Sequence, residues 1–307
     1  MTVSIQSILA ARLPLYANRD AVRLSHHEIL PELTVDDYAG HLLLTDYRGH
    51  DHATLRSIAE QTLSALRDAD RPAHGATLKV RPDDLSKHAS QADAVTLVGQ
   101  PAPNRFEITE HGMRFTVSFS EAGFSTGLFL DMAEGRQWVR ENTEGAEVLN
   151  LFSYTGPFSI AAAMGGATSV IEVDTAKKWL AWAQENQQLN GVDTVRQRRN
   201  DAVSFLQRQE SESYDVIIVD PPSFANPKKG TRFTIAEGYK LMSPHLARVL
   251  RIGGYVLACC NHAQTDQRAF RRWLPKDLTL TDWIAPPPDF PGADYLKVAV
   301  LAKPPNV

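Results

Sequence analysis

Apolar residues along this chain follow two rhythms. From about residue 144 onward, short unbroken apolar runs alternate with stretches in which apolar side chains return every three or four positions. The first pattern predicts buried strands and the second amphipathic helices. Strands are predicted at 148–152, 169–173, 195–199, 214–219 and 255–258, the last after Gly253-Gly254. Between them the pattern predicts helices at 158–164, 176–189, 201–206 and 237–250. Pro157 suits the first helical position after Thr155 or Gly156 as cap, and Gly165-Gly166 ends that helix. Trp179, Trp182, Ala183 and Leu189 share one face of the next, which Asn190-Gly191 stops. Strands alternating with helices imply a parallel, doubly wound α/β sheet. Two further strands, 278–284 and 295–302, flank a proline-rich link and are expected to form an antiparallel last hairpin, for seven strands in all.

Before residue 126 the periodicity is weaker. Short strands at 42–44, 77–80, 94–98 and 114–118, with a helix at 53–67, predict a small N-terminal α+β domain. The boundary falls near 120–127, giving domains 1–125 and 126–307. There is no internal repeat.

A length of 307 residues with 43% hydrophobic and 22% charged content fits two globular domains. Only two cysteines occur, the neighbours Cys259 and Cys260, so no disulfide framework or thiolate zinc spacing exists, as expected in a reducing cytoplasm. Arg12 and Arg19 interrupt the amino-terminal pattern, so no signal peptide is expected. Residues 148–171 carry no charge over 24 positions, but Asn150, Tyr154, Pro157 and Gly165-Gly166 divide them, and no membrane span is predicted. The net charge of −4 lends no support to nucleic-acid binding; basic residues are only local, at Arg196, Arg198 and Arg199, at Lys228, Lys229 and Arg232, and at Arg268, Arg271 and Arg272. His26-His27-Glu28 and His50-Asp51-His52 invite a metal reading, but neither lies in the crevice half, and no metal is expected.

Ligands of open α/β sheets bind beyond the carboxyl ends of the strands. Those ends read Phe152-Ser153-Tyr154-Thr155-Gly156, Asp174, Asn200-Asp201 with Ala202 beside it, and Asp220. An acid ending the second strand suits the two hydroxyls of a ribose, and one ending the third suits an adenine amino group. Asp174 and Asp201 also precede helices, where an aspartate commonly caps, and for either acid alone the two roles are evenly balanced. Their joint order favours the cofactor. The loop holds one glycine and no G-x-G-x-x-G, so a dinucleotide is disfavoured against S-adenosylmethionine.

Asp220-Pro221-Pro222-Ser223-Phe224 ends the strand 214–219. Two prolines fix the backbone and remove its donors, leaving carbonyls at the edge to accept hydrogen bonds from a planar amine or ring. With Thr126-Gly-Leu-Phe-Leu-Asp131, Arg136, Asn150-Leu-Phe-Ser-Tyr-Thr-Gly156, Val173-Asp174, Gly253-Gly254 and Tyr295-Leu-Lys297, this motif resembles the large-subunit (23S) ribosomal-RNA methyltransferase family I/K. Leu30-Pro-Glu-Leu-Thr-Val-Asp36 resembles the start of that family's central α+β domain. The resemblance implies a Rossmann-like methyltransferase sheet, S-adenosylmethionine as cofactor and ribosomal RNA as partner. It adds Asp131, Arg136 and Asn150 to the cofactor contacts, although the family's Asp-Gln-Arg is Asp131-Met132-Ala133 here. Asp220, Pro221, Pro222 and Phe224 become the target-side residues, with Phe224 either stacking on a flipped base or packing under its loop. Lys228, Lys229 and Arg232 become RNA contacts. The family often carries an amino-terminal PUA module, which this chain is expected to lack.

The family's branches make 5-methylcytosine and 7-methylguanine. Carbon methylation of cytosine needs a thiolate. Counted from Gly253-Gly254, the cysteine of that branch falls on Asn261, one residue from Cys260 and so on the opposite strand face. Nitrogen is the expected target, guanine favoured, with Cys259 and Cys260 in the core. Tyr239 and Lys240 are candidates for the same pocket. The alternatives are a 5-methylcytosine enzyme, a nitrogen methyltransferase on a protein or small molecule, and a non-catalytic RNA-binding or ribosome-assembly factor.

Overall fold

The computed structural model of the chain describes residues 4–81, 94–123, 125–222, 224–225 and 233–305. The chain divides into two compact units, Met1–Leu130 with Pro288–Pro291, and Asp131–Pro287 with Gly292–Val307.

The first unit opens with helix α1 (Ile5–Arg12) and strands β1 (Ala21–His26), β2 (Leu33–Tyr38) and β3 (His41–Asp46). Helix α2 (His52–Asp68) then crosses to β4 (Gly75–Val80), followed by β5 (Val95–Gly99) and the hairpin β6 (Phe106–Glu110) and β7 (Met113–Val117). The five-stranded sheet runs in the order β1-β2-β3-β4-β5, with only β3 and β4 parallel, as the helical crossover between them requires. Asp51 caps α2 by accepting the Thr54 amide, and Leu55, Ile58, Leu63 and Leu66 bury its core face.

Strands β1, β2 and β6 lie outside the predicted set. In β2 the pattern is obscured because its two acids are buried. Asp36 takes a bidentate bond from Arg23 at 2.7 and 3.0 Å. Asp37 accepts the Tyr16 hydroxyl and the Gly40 amide, both at 2.7 Å, and burial pushes its carboxyl up to about 6. Part of the expected link between the last two strands also belongs here. Asp289 is fully buried and accepts from Arg19 at 3.2 Å and from the Arg23 amide at 3.0 Å.

In the second unit, helix α3 (Ala133–Glu141) precedes β8 (Glu147–Leu151), α4 (Pro157–Met164), β9 (Ser169–Asp174), α5 (Lys177–Asn190), β10 (Val195–Arg199) and α6 (Ala202–Gln207). After β11 (Tyr214–Val219) come a short hairpin, β12 (Phe224–Ala225) and β13 (Phe233–Thr234), then α7 (Ile235–Val249) and β14 (Leu250–Asn261). Helix α8 (Gln267–Arg271) and strands β15 (Thr279–Ile284) and β16 (Leu296–Ala302) complete it.

The seven-stranded sheet has the order β10-β9-β8-β11-β14-β16-β15. Its first five strands are parallel, and β16 runs antiparallel to both β14 and β15. Strand order reverses between β8 and β11, which sets a crevice at their carboxyl ends. Strand β14 starts five residues before the predicted strand, with a register shift opposite β11 between Tyr214 and Val216. A Cβ at Gly254 would lie 2.5 Å from the Asp215 carbonyl, so only glycine lets these strands approach there. The core between sheet and helices includes Leu149, Val173, Ile217, Met242, Leu246 and Val256. No helix among the described residues is long and apolar enough to cross a membrane.

Candidate cofactor crevice and target edge

Strand β8 stops at Leu151 because the next residues leave the extended region. Phe152 (φ 59°), Tyr154 (φ 53°) and Gly156 (φ 80°) all have left-handed backbones. For Phe152 and Tyr154 that is costly, so the surroundings must hold the loop in place. The Ser153 amide donates to the Val173 carbonyl at 3.0 Å, the Tyr154 amide to Asp174 Oδ2 at 3.1 Å, and Gly156 to the Ser153 carbonyl at 2.9 Å. Asn186 of α5 donates to the Thr155 carbonyl at 2.9 Å. At Gly156 a Cβ would meet Ala183 at 3.0 Å and Glu172 Oε2 at 3.1 Å, so glycine serves both the positive φ and the close approach of α5. Pro157 then starts α4 as predicted.

The predicted loop residues therefore share one short structure but differ in exposure. Ser153 and Thr155 are buried, and Ser153 Oγ meets no partner among the described residues. Tyr154 packs edge-on against Trp179 at 4.5 Å. Asn150 lies inside β8 and donates to Ser159 of α4 at 2.9 Å.

Asp174 ends β9 with both carboxylate oxygens engaged by the backbone, Oδ2 by Tyr154 and Oδ1 by the Ala176 amide at 2.8 Å. Burial pushes its carboxyl up, while those amides pull it down. The cap of α5 is Ala176, so Asp174 is not a helix cap but a clasp joining the loop to the end of β9. Each oxygen keeps lone-pair capacity for a further donor. Asp201, by contrast, is an exposed helix cap accepting the Ser204 amide at 2.9 Å, and Ala202 is buried as the first residue of α6. Glu172 is a buried polar residue absent from the sequence reading. Its Oε1 accepts from Gln187 at 2.7 Å and Gln197 at 2.8 Å, which fixes α5 and β10 to β9.

A second group gathers around the carboxyl end of β11. Arg136 of α3 is 1% exposed and Asp131 9%. Both act electrostatically on Asp220, whose carboxyl is pushed up to about 7 by burial first and the Asp131 charge second, while Arg136 opposes. Tyr295 donates to Asp131 Oδ2 at 3.0 Å. Lys297 is spent on backbone carbonyls of His262 at 2.7 Å and Tyr295 at 2.8 Å, so it holds the turn into β16. Pro221 is buried and Pro222 exposed, and Phe224 opens β12, paired with Thr234 of β13. Lys228, Lys229 and Arg232 lie outside the described residues.

One expectation is corrected here. Tyr239 does not face a pocket: it is fully buried, and its hydroxyl bridges the Val219 carbonyl at 3.0 Å and the Cys259 carbonyl at 2.7 Å, while Lys240 is exposed. Its place in the helical repeat of α7 signals burial, but only the sheet shows what its hydroxyl ties. Tyr239→Phe is expected to lower unfolding free energy by about 1–3 kcal/mol in urea, because buried carbonyls lose a donor. Cys259 and Cys260 are both buried; burial pushes the Cys259 thiol well up and the Cys260 thiol up to about 11.

These residues fit the predicted cofactor. A clasped carboxylate at Asp174 is suited to a ribose, the orphaned Ser153 hydroxyl can take a polar partner, and the opposite charges of the buried Asp131 and Arg136 suit a zwitterionic amino-acid end. The strand order, with its antiparallel last hairpin, is that of a class I methyltransferase. The chain belongs to the S-adenosylmethionine-dependent methyltransferase family, whose sequence signature matches residues 23–300. It is 33% identical over 265 residues to ribosomal RNA large subunit methyltransferase I of Erwinia tasmaniensis, covering 83% of this chain and 64% of that protein. It is 33% identical over 252 residues to ribosomal RNA large subunit methyltransferase K/L of Vibrio cholerae, covering 78% of this chain and 34% of that protein. The chain thus spans less than two thirds of the length of either relative. Among solved structures, SMU.776 in complex with SAH superposes with a TM-score of 0.80 at 26% identity, covering 98% of this chain and 82% of that one.

Proposed function

We propose that this chain transfers a methyl group from S-adenosylmethionine to a nitrogen of a ribosomal RNA base, guanine favoured. The observation that carries the nitrogen assignment is the state of the edge beyond β11. Asp220 stands there next to two prolines, and neither nearby cysteine has the environment of a nucleophile. A buried thiol with raised affinity for its proton supplies no thiolate to add to a pyrimidine ring. The cofactor, when bound, supplies an electrophilic methyl on a sulfonium. The protein's part is to hold a planar base in line with that methyl and to accept a proton where the target is an exocyclic amine. Asp220 and the Pro221 carbonyl are the acceptors for that amine, while the stacking role expected of Phe224 falls on a side chain outside those described. Both relatives above carry ribosomal RNA in their names, which supports RNA as the substrate class.

The test is methyl transfer from labelled cofactor to undermodified ribosomal RNA, followed by nucleoside analysis. A methylguanine is expected; 5-methylcytosine would reverse the nitrogen assignment, and label in protein alone would reverse the RNA assignment. In the same assay Cys259→Ala and Cys260→Ala are each expected to retain turnover within a few-fold of wild type. Loss of turnover in either, together with a covalent wild-type RNA adduct, would restore the cysteine mechanism.

A further inference from the structure

The histidine pair His26-His27, which no part of the crevice uses, lies in a continuous run of rings on the first unit. His26 packs against Phe290 at 5.7 Å and against His27 at 4.8 Å, and His27 against Tyr47 at 6.0 Å. Guanidinium planes cover the two ends: Arg23 sits 4.4 Å over Phe290 and Arg81 5.7 Å over Tyr47. Phe290 is buried beneath this layer, His27 is exposed, and His26, Tyr47, Arg23 and Arg81 are half-buried.

One end of the run is held by hydrogen bonds. Arg23 is fixed by Asp36 and donates to His26 Nδ1 at 2.9 Å, which makes that nitrogen the acceptor and leaves the ring proton on Nε2. Glu28 is occupied by Arg12 and by the His26 amide, so the acid of the His-His-Glu triplet does not face a cation between the rings. Burial and neighbouring Arg23 hold His26 down at about 4, and burial lowers His27 as well, against the pull of Glu32. Both shifts favour the neutral imidazole. The rings are tilted or edge-on to one another, so each presents its own face beside a guanidinium group. Aromatic faces with neighbouring arginines are the chemistry on which unstacked bases of single-stranded RNA stack.

We infer that His27 and Tyr47, flanked by Arg23 and Arg81, form a stacking platform for single-stranded RNA. This deepens the RNA reading of the crevice and rests on it. Arg12 and Arg23 are each matched by an acid, so neither is a dedicated phosphate contact and stacking carries the contact to the bases. Binding here therefore depends on unpaired bases more than on salt.

The experiment is fluorescence anisotropy of the full chain with a labelled single-stranded oligonucleotide of adenosines and uridines and with a fully paired duplex of equal length. Methyl transfer to undermodified ribosomal RNA is run in parallel. The single strand is expected to bind more tightly than the duplex. His27→Ala and Tyr47→Ala are each expected to weaken it about tenfold, with unchanged melting temperature and unchanged slope of affinity against salt, whereas Tyr47→Phe retains affinity. Equal or tighter duplex binding, or unaltered binding by both alanine variants, would overturn the platform. If wild type still labels ribosomal RNA in that case, the proposed function stands without it. A wild type that neither binds nor labels any RNA would overturn both.

Discussion

Asp174→Ala is expected to weaken S-adenosylmethionine binding by about 2 kcal/mol or more, roughly 30-fold, measured by calorimetric titration of the purified protein. Two losses add. The ribose that Asp174 is proposed to hold forfeits its charge-assisted acceptor, and the loop 152–156 forfeits the carboxylate that holds the Tyr154 amide. That second loss matters because Phe152 and Tyr154 stay left-handed only while neighbouring bonds hold them. Asp174→Asn separates the two. Its amide oxygen can keep one backbone donor, so the loop survives better than the ribose contact. An affinity unchanged in Asp174→Ala would remove the ribose assignment.

Asp220→Ala is expected to lower the rate of methyl transfer to an exocyclic amine about 100-fold, the scale of losing a positioned proton acceptor. Cofactor affinity should change little, because Asp220 is proposed to face the base. Its titration gives an independent check. The folded carboxyl has its pKa at about 7, above the unfolded value of 3.8, so the fold prefers the protonated form. Between about pH 4 and 7 the folded protein therefore binds more protons than the unfolded chain, and stability falls as pH rises through that window. The fall amounts to at most about 4 kcal/mol and is complete above the folded pKa. Asp220→Asn should lack this slope in urea unfolding measured at pH 5 and pH 8. With cofactor bound, the sulfonium charge favours the carboxylate and moves its titration to lower pH. The rate of methyl transfer to an exocyclic amine should then rise with pH below that shifted value and level off above it.

The alternating half of the chain was the more legible. Strands β10 and β11 match their predicted limits, and Gly191 and Pro157 mark the helix ends assigned to them. These signals are local: a turn residue or an apolar run of fixed period acts on its own neighbours. The first unit was less legible because its strands carry acids inward. Asp36 and Asp37 break the period of β2, and their partners Arg23 and Tyr16 stand 13 and 21 residues away. Asp289 was equally hidden, since Arg19 lies 270 residues before it.

The crevice divides the same way. Local sequence marked where each strand ends, and hence Asp174, Asp201 and Asp220 as the acids standing there. It also set a proline-locked edge, since a ring closed on its own nitrogen needs no distant partner to stiffen the chain. Which acid is a clasp and which a cap was settled only by folding: Asp174 meets the Tyr154 amide 20 residues earlier, whereas Asp201 meets only the first turn of its own helix. The burial of Cys259 and Cys260, the Tyr239 bridge between two strand ends and the Tyr295–Asp131 bond were likewise decided by tertiary structure. Burial and proton affinity depend on what surrounds a side chain in space, and that is assembled from segments far apart along the chain.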